Sequence, residues 1–404
     1  MILLLVIIYL AFISLGLPDA VLGSSWPVMR HDLGADLAFA GVIAFVTSAG
    51  TVISSLLSTQ LIHRFGPGKV VAISVLMTAL ALLGFTVASH AWIIVLLAIP
   101  LGLGAGSVDA ALNNFVALHY QSKHMNYLHS FWGVGATAGP LIMAMFLSQQ
   151  GGWRDGYATL SYIQFALVAG LFLSLPLWQR ATGSTPHDDE ATASPVTNRQ
   201  VLSIRGVKLQ LLMFCAYCSL EAGTGLWAAS YLTVEKGMAP TDAAFWTAMY
   251  FLGITGGRFL CGFIADHIPS ATLIRTGLLT ILAGVLALLL PLPAAFTPVG
   301  LMLVGLGCAP IYPNTIHLTP QRFGKAASQA IIGLSMACAY VGTTLLPPLM
   351  GTTMTALSFT LFPVILLALC LIMLVTTERL NRRHNTPEAA PETATAAEPV
   401  TEKA

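Results

Sequence analysis

The feature that most constrains this chain is a succession of apolar stretches, each long enough to cross a bilayer. A helix needs roughly 20 mostly apolar residues to span the hydrocarbon. Twelve such stretches follow one another, near 1–27, 37–62, 69–89, 91–118, 126–148, 156–178, 208–233, 243–264, 271–291, 297–318, 326–350 and 353–377. Turn and charge signals separate them, such as Arg30-His31-Asp32, Arg64-Phe65-Gly66-Pro67-Gly68-Lys69 and Gly151-Gly152-Trp153-Arg154-Asp155. Asp, Glu, Lys and Arg make up 9% of the 404 residues, against roughly 25% in soluble proteins, which is too few to cover a water-facing surface. The expected fold is an all-α membrane protein of twelve transmembrane helices. The first stretch begins at Met1 without a basic leader or a small-residue cleavage site and reads as a retained span.

Basic residues orient the spans. With loops alternating, fourteen of the 18 Lys and Arg fall on the side of the N-terminus. Arg30, Arg154 and Lys236 fall on the other side, and Arg258 lies within a span. The positive-inside rule then places both termini in the cytoplasm and the chain, multi-pass, in the inner or plasma membrane. The expected organisation is a bundle over 1–178, a cytoplasmic linker over 179–207, a second bundle over 208–377 and a disordered cytoplasmic tail over 378–404. A net charge of +1 offers nucleic acid no basic field. The six cysteines lie in apolar stretches and read as small buried hydrophobes; Cys215-Ala216-Tyr217-Cys218 lacks a second pair to hold a metal. The sequence carries no nucleotide loop, metal-ligand cluster or grouped nucleophile and base, so neither a cofactor nor enzymatic chemistry is expected.

The two halves repeat. Asp19-Ala20-x-x-Gly23 matches Glu221-Ala222-x-x-Gly225 202 residues later, each followed by a tryptophan, Trp26 or Trp227. Gly102-Leu103-Gly104 matches Gly305-Leu306-Gly307 at an offset of 203, and His63-Arg64-Phe65-Gly66 lies opposite Asp266-His267-Ile268-Pro269 at the same offset. A parallel repeat of six spans is the plan of two-bundle transporters, whose substrate site lies near mid-membrane between the halves. The chain resembles the major facilitator superfamily over nearly its whole length, which implies two pseudo-symmetric six-helix bundles. That superfamily's loop signature between spans two and three is G-x-x-x-D-R-x-G-R/K. Here Thr59 replaces the glycine and His63 the aspartate, Arg64 and Gly66 stand as expected, and Lys69 comes one place late. The second copy keeps Gly262 and Asp266. By the resemblance, Arg64, Gly66 and Asp266 belong to a cytoplasmic gating loop.

Ionised groups in hydrocarbon are costly and usually face a functional cavity. Four formal charges lie well inside spans, away from their ends: Asp19, Asp109, Glu221 and Arg258. Asp19 shares a helix face with Gly23 and Trp26. Asp109 shares one with Gly102, Gly106 and Asn113, and Glu221 sits one turn from both Tyr217 and Gly225. Gly223 and Gly225 are expected to let span seven bend. Arg258 reads as a structural ion pair or a snorkelling residue toward the cytoplasmic end of span eight. A carboxyl in a low-dielectric cavity can serve as a reversible proton carrier, so Asp19, Asp109 and Glu221 are the candidate proton-coupling residues, with sodium as the rival ion. Asn113, Asn114, His129, Trp132, Tyr217, Trp227, Tyr312 and Asn314 supply amide, imidazole and aromatic groups of the kind that bind a sugar. With no Lys or Arg read at mid-membrane, anionic substrates are disfavoured unless a protonated histidine serves.

At these residues the chain resembles the fucose permease-like branch, the fucose–galactose–glucose:proton symporters. The resemblance rests on Asp19 in span one and on Asp109 with Asn113 in a Gly-rich span four. It also rests on Leu128-His129-Ser130-Phe131 before Gly133-Val134-Gly135-Ala136 in span five, and on Tyr312-Pro313 in span ten. It implies that Asp19 and Asp109 handle proton coupling and hydroxyl binding. Trp132 stands where that branch has a polar amide, and Glu221 has no counterpart in it. The expected function is secondary active import of a small neutral sugar or polyol with protons, by a chain working as a monomer in the lipid bilayer. The alternative is a proton antiporter exporting a drug-like compound or metabolite through the same acids.

Overall fold

The computed structural model describes residues 2–120, 122–148, 152–182, 198–264, 267–291 and 296–385. Every backbone polar group in hydrocarbon needs an internal partner, which leaves helices as the available form for such stretches. In the first half these are α1 (Ile2–Asp19), α2 (Val21–Asp32), α3 (Phe39–Phe65), α4 (Pro67–Thr86), α5 (Ala91–His119), α6 (Ser122–Leu147), α7 (Gly152–Leu173) and α8 (Leu175–Thr182). In the second half they are α9 (Asn198–Ser203), α10 (Val207–Val234), α11 (Pro240–Ile264), α12 (Ser270–Leu289), α13 (Phe296–Cys308), α14 (Ile311–Phe323), α15 (Lys325–Ala356) and α16 (Leu361–Asn385). Twelve spans result, with α1 and α2 forming the first and α13 and α14 the tenth. The even count puts Ile2 and Arg383, the outer ends of the first and twelfth spans, on one side, called here the terminal side; the opposite side is the distal one.

Proline explains the two broken spans. Pro18 cannot donate to the turn before it, and the first span breaks at Ala20, immediately after Asp19. The tenth breaks at Ala309-Pro310, where the Asn314 side-chain amide donates to the Pro310 carbonyl at 2.7 Å. In span seven the two glycines have close neighbours. α10 runs unbroken from Val207 to Val234, and Gly223 and Gly225 let neighbouring side chains approach it. A Cβ on Gly225 would lie 2.8 Å from the Phe251 ring, and one on Gly223 would lie 2.6 Å from the Met350 sulfur.

The bundles approach closely on the distal side, besides the contact of α6 with α11 at mid-span. A Cβ on Gly23 of α2 would fall on the Gly225 carbonyl and 2.7 Å from that of Leu226 in α10; one on Gly41 of α3 would lie 2.8 Å from Cα of Pro348 in α15. A single apolar core continues there from Trp26, Phe85 and Trp153 in one bundle to Trp227, Leu288 and Phe359 in the other. Toward the terminal side the core divides. One cluster gathers Leu4, Phe12, Val71 and Phe115, and a separate one gathers Val201, Val207 and Ile331. The distal rim of the first bundle is pinned by Asp32, which accepts from the buried Trp153 indole at 2.8 Å and from Arg154 at 3.1 Å.

The loop after α3 turns at Gly66 with φ +79°, and Pro67 opens α4 at the first helical position. Gly324, after Arg322-Phe323, adopts nearly the same backbone (φ 83°, ψ 152°) as Gly66 after Arg64-Phe65 (φ 79°, ψ 154°). Arg64 is exposed and lies over the Phe65 ring, 5.5 Å from its centroid. Asp266, the other expected gating residue, lies outside the described residues.

Replacing Gly23 by Ile should disrupt the distal seal, because the backbone of α10 fills the space its side chain would need. The expected cost is about 1–3 kcal/mol, read as a lower thermal midpoint in detergent. Amide protection should fall in 21–30 and 222–234 together and hold in α4 and α12. Unchanged protection in both segments would show that the two helices do not seal one another.

Candidate functional site

Asp19 closes α1 at the proline break, near the middle of its span and deep among protein atoms, yet its side chain stays exposed. The close contact between the bundles on the distal side begins one turn further along, at Gly23. The Trp132 indole on α6 donates to the Asp19 carboxylate at 2.7 Å. On α5, Asn113 donates to the Asp109 carboxylate at 2.9 Å, a contact that the i, i+4 spacing makes possible. The two carboxylates lie within electrostatic reach of each other. Across the bundle interface Asp109 reaches in the same way toward Tyr312 and Tyr340.

Of the two expectations for Arg258, the structure shows the ion pair and not the snorkelling residue. Instead of snorkelling outward it points inward from α11 and meets Glu221 of α10 at 3.3 Å, with 13% and 17% of the two side chains exposed. The guanidinium also lies over the Trp132 ring, 5.3 Å from its centroid. A cation therefore does stand at mid-membrane. The sequence singled out the residue but not its inward aim, because its partners sit on other helices, 37 residues away on α10 and across the interface on α6. Pairing explains how it survives there: an unpaired charge in this medium would cost several kcal/mol. Glu221 and Asp19, equivalent in the repeat, thus have unlike partners, a guanidinium for one and an indole N–H for the other.

The remaining candidates divide into two groups. His129 sits half-buried, its ring 6.2 Å from that of Tyr312 on the opposite bundle, and Tyr312 also faces Phe214 at 5.2 Å. Tyr217 is fully buried; its hydroxyl makes no hydrogen bond of good geometry and lies beside Glu221 and Arg258. These residues belong with the acids. Trp227 and Asn314 do not. Trp227 is fully buried and donates to the Pro347 carbonyl at 2.8 Å, wedged between α10 and α15, while Asn314 serves the helix break described above. The Trp26 indole likewise serves the fold, donating to Leu37 at 2.8 Å. The side chain of Asn114 lies outside the described residues. Sequence reading did not single out Met336 and Tyr340 of α15. Met336 accepts from the Tyr312 hydroxyl at 3.3 Å, and neither residue carried a motif.

Removing one member of the Glu221–Arg258 pair should cost more than removing both. Glu221→Leu alone is expected to destabilise by about 3–5 kcal/mol, and Glu221→Leu with Arg258→Met to recover most of that loss. Thermal midpoints of the two single variants and the double variant in detergent make the comparison. Additive losses would mean the pair is not coupled in the folded protein.

Comparison with known proteins places this geometry. The sequence pattern of the Major Facilitator Superfamily matches residues 8–301 and, in a second register, 209–402. The glucose/mannose transporter GlcP of Bacillus subtilis (strain 168) is 22% identical over 351 residues, covering 85% of this chain and 86% of that protein. The cis,cis-muconate transport protein of Acinetobacter baylyi (strain ATCC 33305 / BD413 / ADP1) is 23% identical over 274 residues, covering 64% of this chain and 65% of its own. Among solved structures, a bacterial homologue of the human lysosomal transporter Spinster shares the fold, with a TM-score of 0.70 at 12% identity over 95% of this chain and 98% of that one. With twelve spans in two bundles around a shared polar centre, and a family pattern running along nearly all of its length, the chain belongs to the Major Facilitator Superfamily and is a membrane transporter, not an enzyme.

Proposed function

We propose that the protein imports a small neutral sugar or polyol together with protons, by alternating access, from a plasma membrane in which both termini face the cytoplasm. The observation that carries this reading is the solvent-exposed Asp19 carboxylate at mid-span, hydrogen-bonded to the indole of Trp132. An aromatic face can stack on the C–H face of a sugar ring while carboxylates and amides take its hydroxyls. Asp19, Asp109, Asn113 and Trp132 supply those groups from one bundle, and Tyr312 supplies an aromatic face from the other. Asp19 and Asp109 have no cation as hydrogen-bond partner among the described residues, which suits groups that take up and release protons. The glucose and mannose named for GlcP, and the resemblance to the fucose permease-like branch, favour the same substrate class. The basic-residue asymmetry supports the orientation.

Arg258 favours a second reading, in which the substrate is an organic acid whose carboxylate takes the guanidinium from Glu221. The muconate carried by the Acinetobacter relative points the same way. The neutral reading is preferred because Glu221 already satisfies Arg258 at 3.3 Å, while Asp19 and Asp109 repel an anion.

Uptake into proteoliposomes of labelled glucose, mannose, fucose and cis,cis-muconate, with the external medium acidic, tests the choice. Sugar uptake with alkalinisation of the medium is expected, and Asp109→Asn should keep counterflow exchange yet lose accumulation. Uptake confined to muconate would replace the neutral reading by the acid one. Full accumulation by Asp109→Asn would remove that residue from proton coupling.

A further inference from the structure

Four side chains form one continuous path across the bundle interface. The Asp19 carboxylate accepts the Trp132 N–H at 2.7 Å, the Arg258 guanidinium lies over the same indole at 5.3 Å, and Glu221 holds Arg258 at 3.3 Å. Asp19 and Trp132 belong to the first bundle, Arg258 and Glu221 to the second, so the step from indole to guanidinium is where this path crosses between the bundles. We infer that Trp132 is a positioning residue which transmits the ionisation state of Asp19 to Arg258, so that proton binding on one bundle loosens the mid-membrane tie to the other. The inference rests on the reading of Asp19 as a proton site.

The chemistry follows from the ring. A carboxylate accepting the indole N–H pushes electron density into the π system, and its negative charge adds to the field at the ring face; both strengthen attraction for a cation stacked there. Protonation of Asp19 removes the charge and weakens the acceptor. The guanidinium then keeps Glu221 and loses part of its hold on the first bundle. A phenylalanine at 132 would keep an aromatic face for Arg258 but could not sense the carboxylate. Other charged and titratable groups set the background. Asp109 from α5 lies within electrostatic reach of Asp19, His129 from α6 within that of Arg258, and Glu221 from α10 is paired with Arg258 from α11. The α7 helix presents the Gln164 amide to the α1 backbone at Ser14, and α4 contributes apolar residues such as Val71 and Val75.

The measurement needs no substrate. Spin labels are attached through a ketone-bearing amino acid at positions 63 and 267, exposed residues on the terminal side of opposite bundles, with the native cysteines left in place. Inter-label distances are then recorded in the full chain in nanodiscs between about pH 8 and about pH 5. Wild type should shift its distance distribution on acidification. Asp19→Asn should hold the acid distribution throughout, and Trp132→Phe should shrink the shift at least about fivefold. The Glu221→Leu, Arg258→Met double variant tests the path from its far end, should Trp132→Phe fail to fold, and is also expected to lose the shift. Absence of a shift in wild type, or a full shift in Trp132→Phe or in the double variant, overturns the inference. A shift lost in Asp19→Asn but kept in Trp132→Phe would sink the relay and leave the proton site standing. Failure of every sugar in the uptake panel would bear on the substrate alone.

Discussion

An ionised side chain in hydrocarbon must find water, a partner or a proton, and the middle of this protein is arranged around that requirement. Arg258 finds Glu221, Asp109 finds Asn113, and Asp19 finds an indole N–H together with access to solvent. Each pairing is made within one bundle, and it is the Arg258 guanidinium over the Trp132 ring that joins them across the interface. Had any of these groups faced lipid, the penalty would have been several kcal/mol apiece, comparable with the stability of a typical folded domain. Charge burial therefore decides which faces of α1, α5, α10 and α11 look inward, and apolar packing fills in around that decision.

Packing then decides which side of the membrane is shut. The hydrophobic effect gives apolar helices no reason to associate in lipid, so close approach depends on small residues and dispersion. Gly23 and Gly41 let α2 and α3 press against the opposite bundle on the distal side, where the apolar core is continuous between the halves. On the terminal side the clusters remain separate. The proline break after Asp19 sits between these regimes, with Leu15 in the terminal-side cluster and Leu17 in the continuous core.

Much of this was legible in the chain itself. Twelve spans follow from hydropathy, because the bilayer fixes helix length. The two-bundle plan follows from the repeat linking Asp19-x-x-x-Gly23 to Glu221-x-x-x-Gly225. The acids stand out because charge is rare in hydrocarbon. What was not legible depends on rotation about helix axes and on approach between distant helices. Arg258 looked peripheral along α11, yet its long side chain reaches inward to partners on two other helices. Trp227 and Asn314 looked like ligand-binding groups by residue type, but a buried indole and a buried amide also need backbone partners, and Pro347 and Pro310 supply them. Gly223 and Gly225 could have marked a bend or a close contact; their neighbours Met350 and Phe251, far away in sequence, decide for contact.

Charge balance ties the substrate question to the proton question. With Glu221 and Arg258 paired, the polar centre is neutral when Asp19 and Asp109 both hold protons, and a neutral polyol bound there leaves it neutral. A carboxylate substrate would have to claim Arg258, freeing Glu221 as a third acid in a medium that penalises every unpaired charge. That carboxyl would need a proton of its own before the bundles could close over it. Carriage of an organic acid through this site thus requires one more proton than carriage of a sugar, and the number of protons moved per substrate is itself a reading of which partner Arg258 keeps.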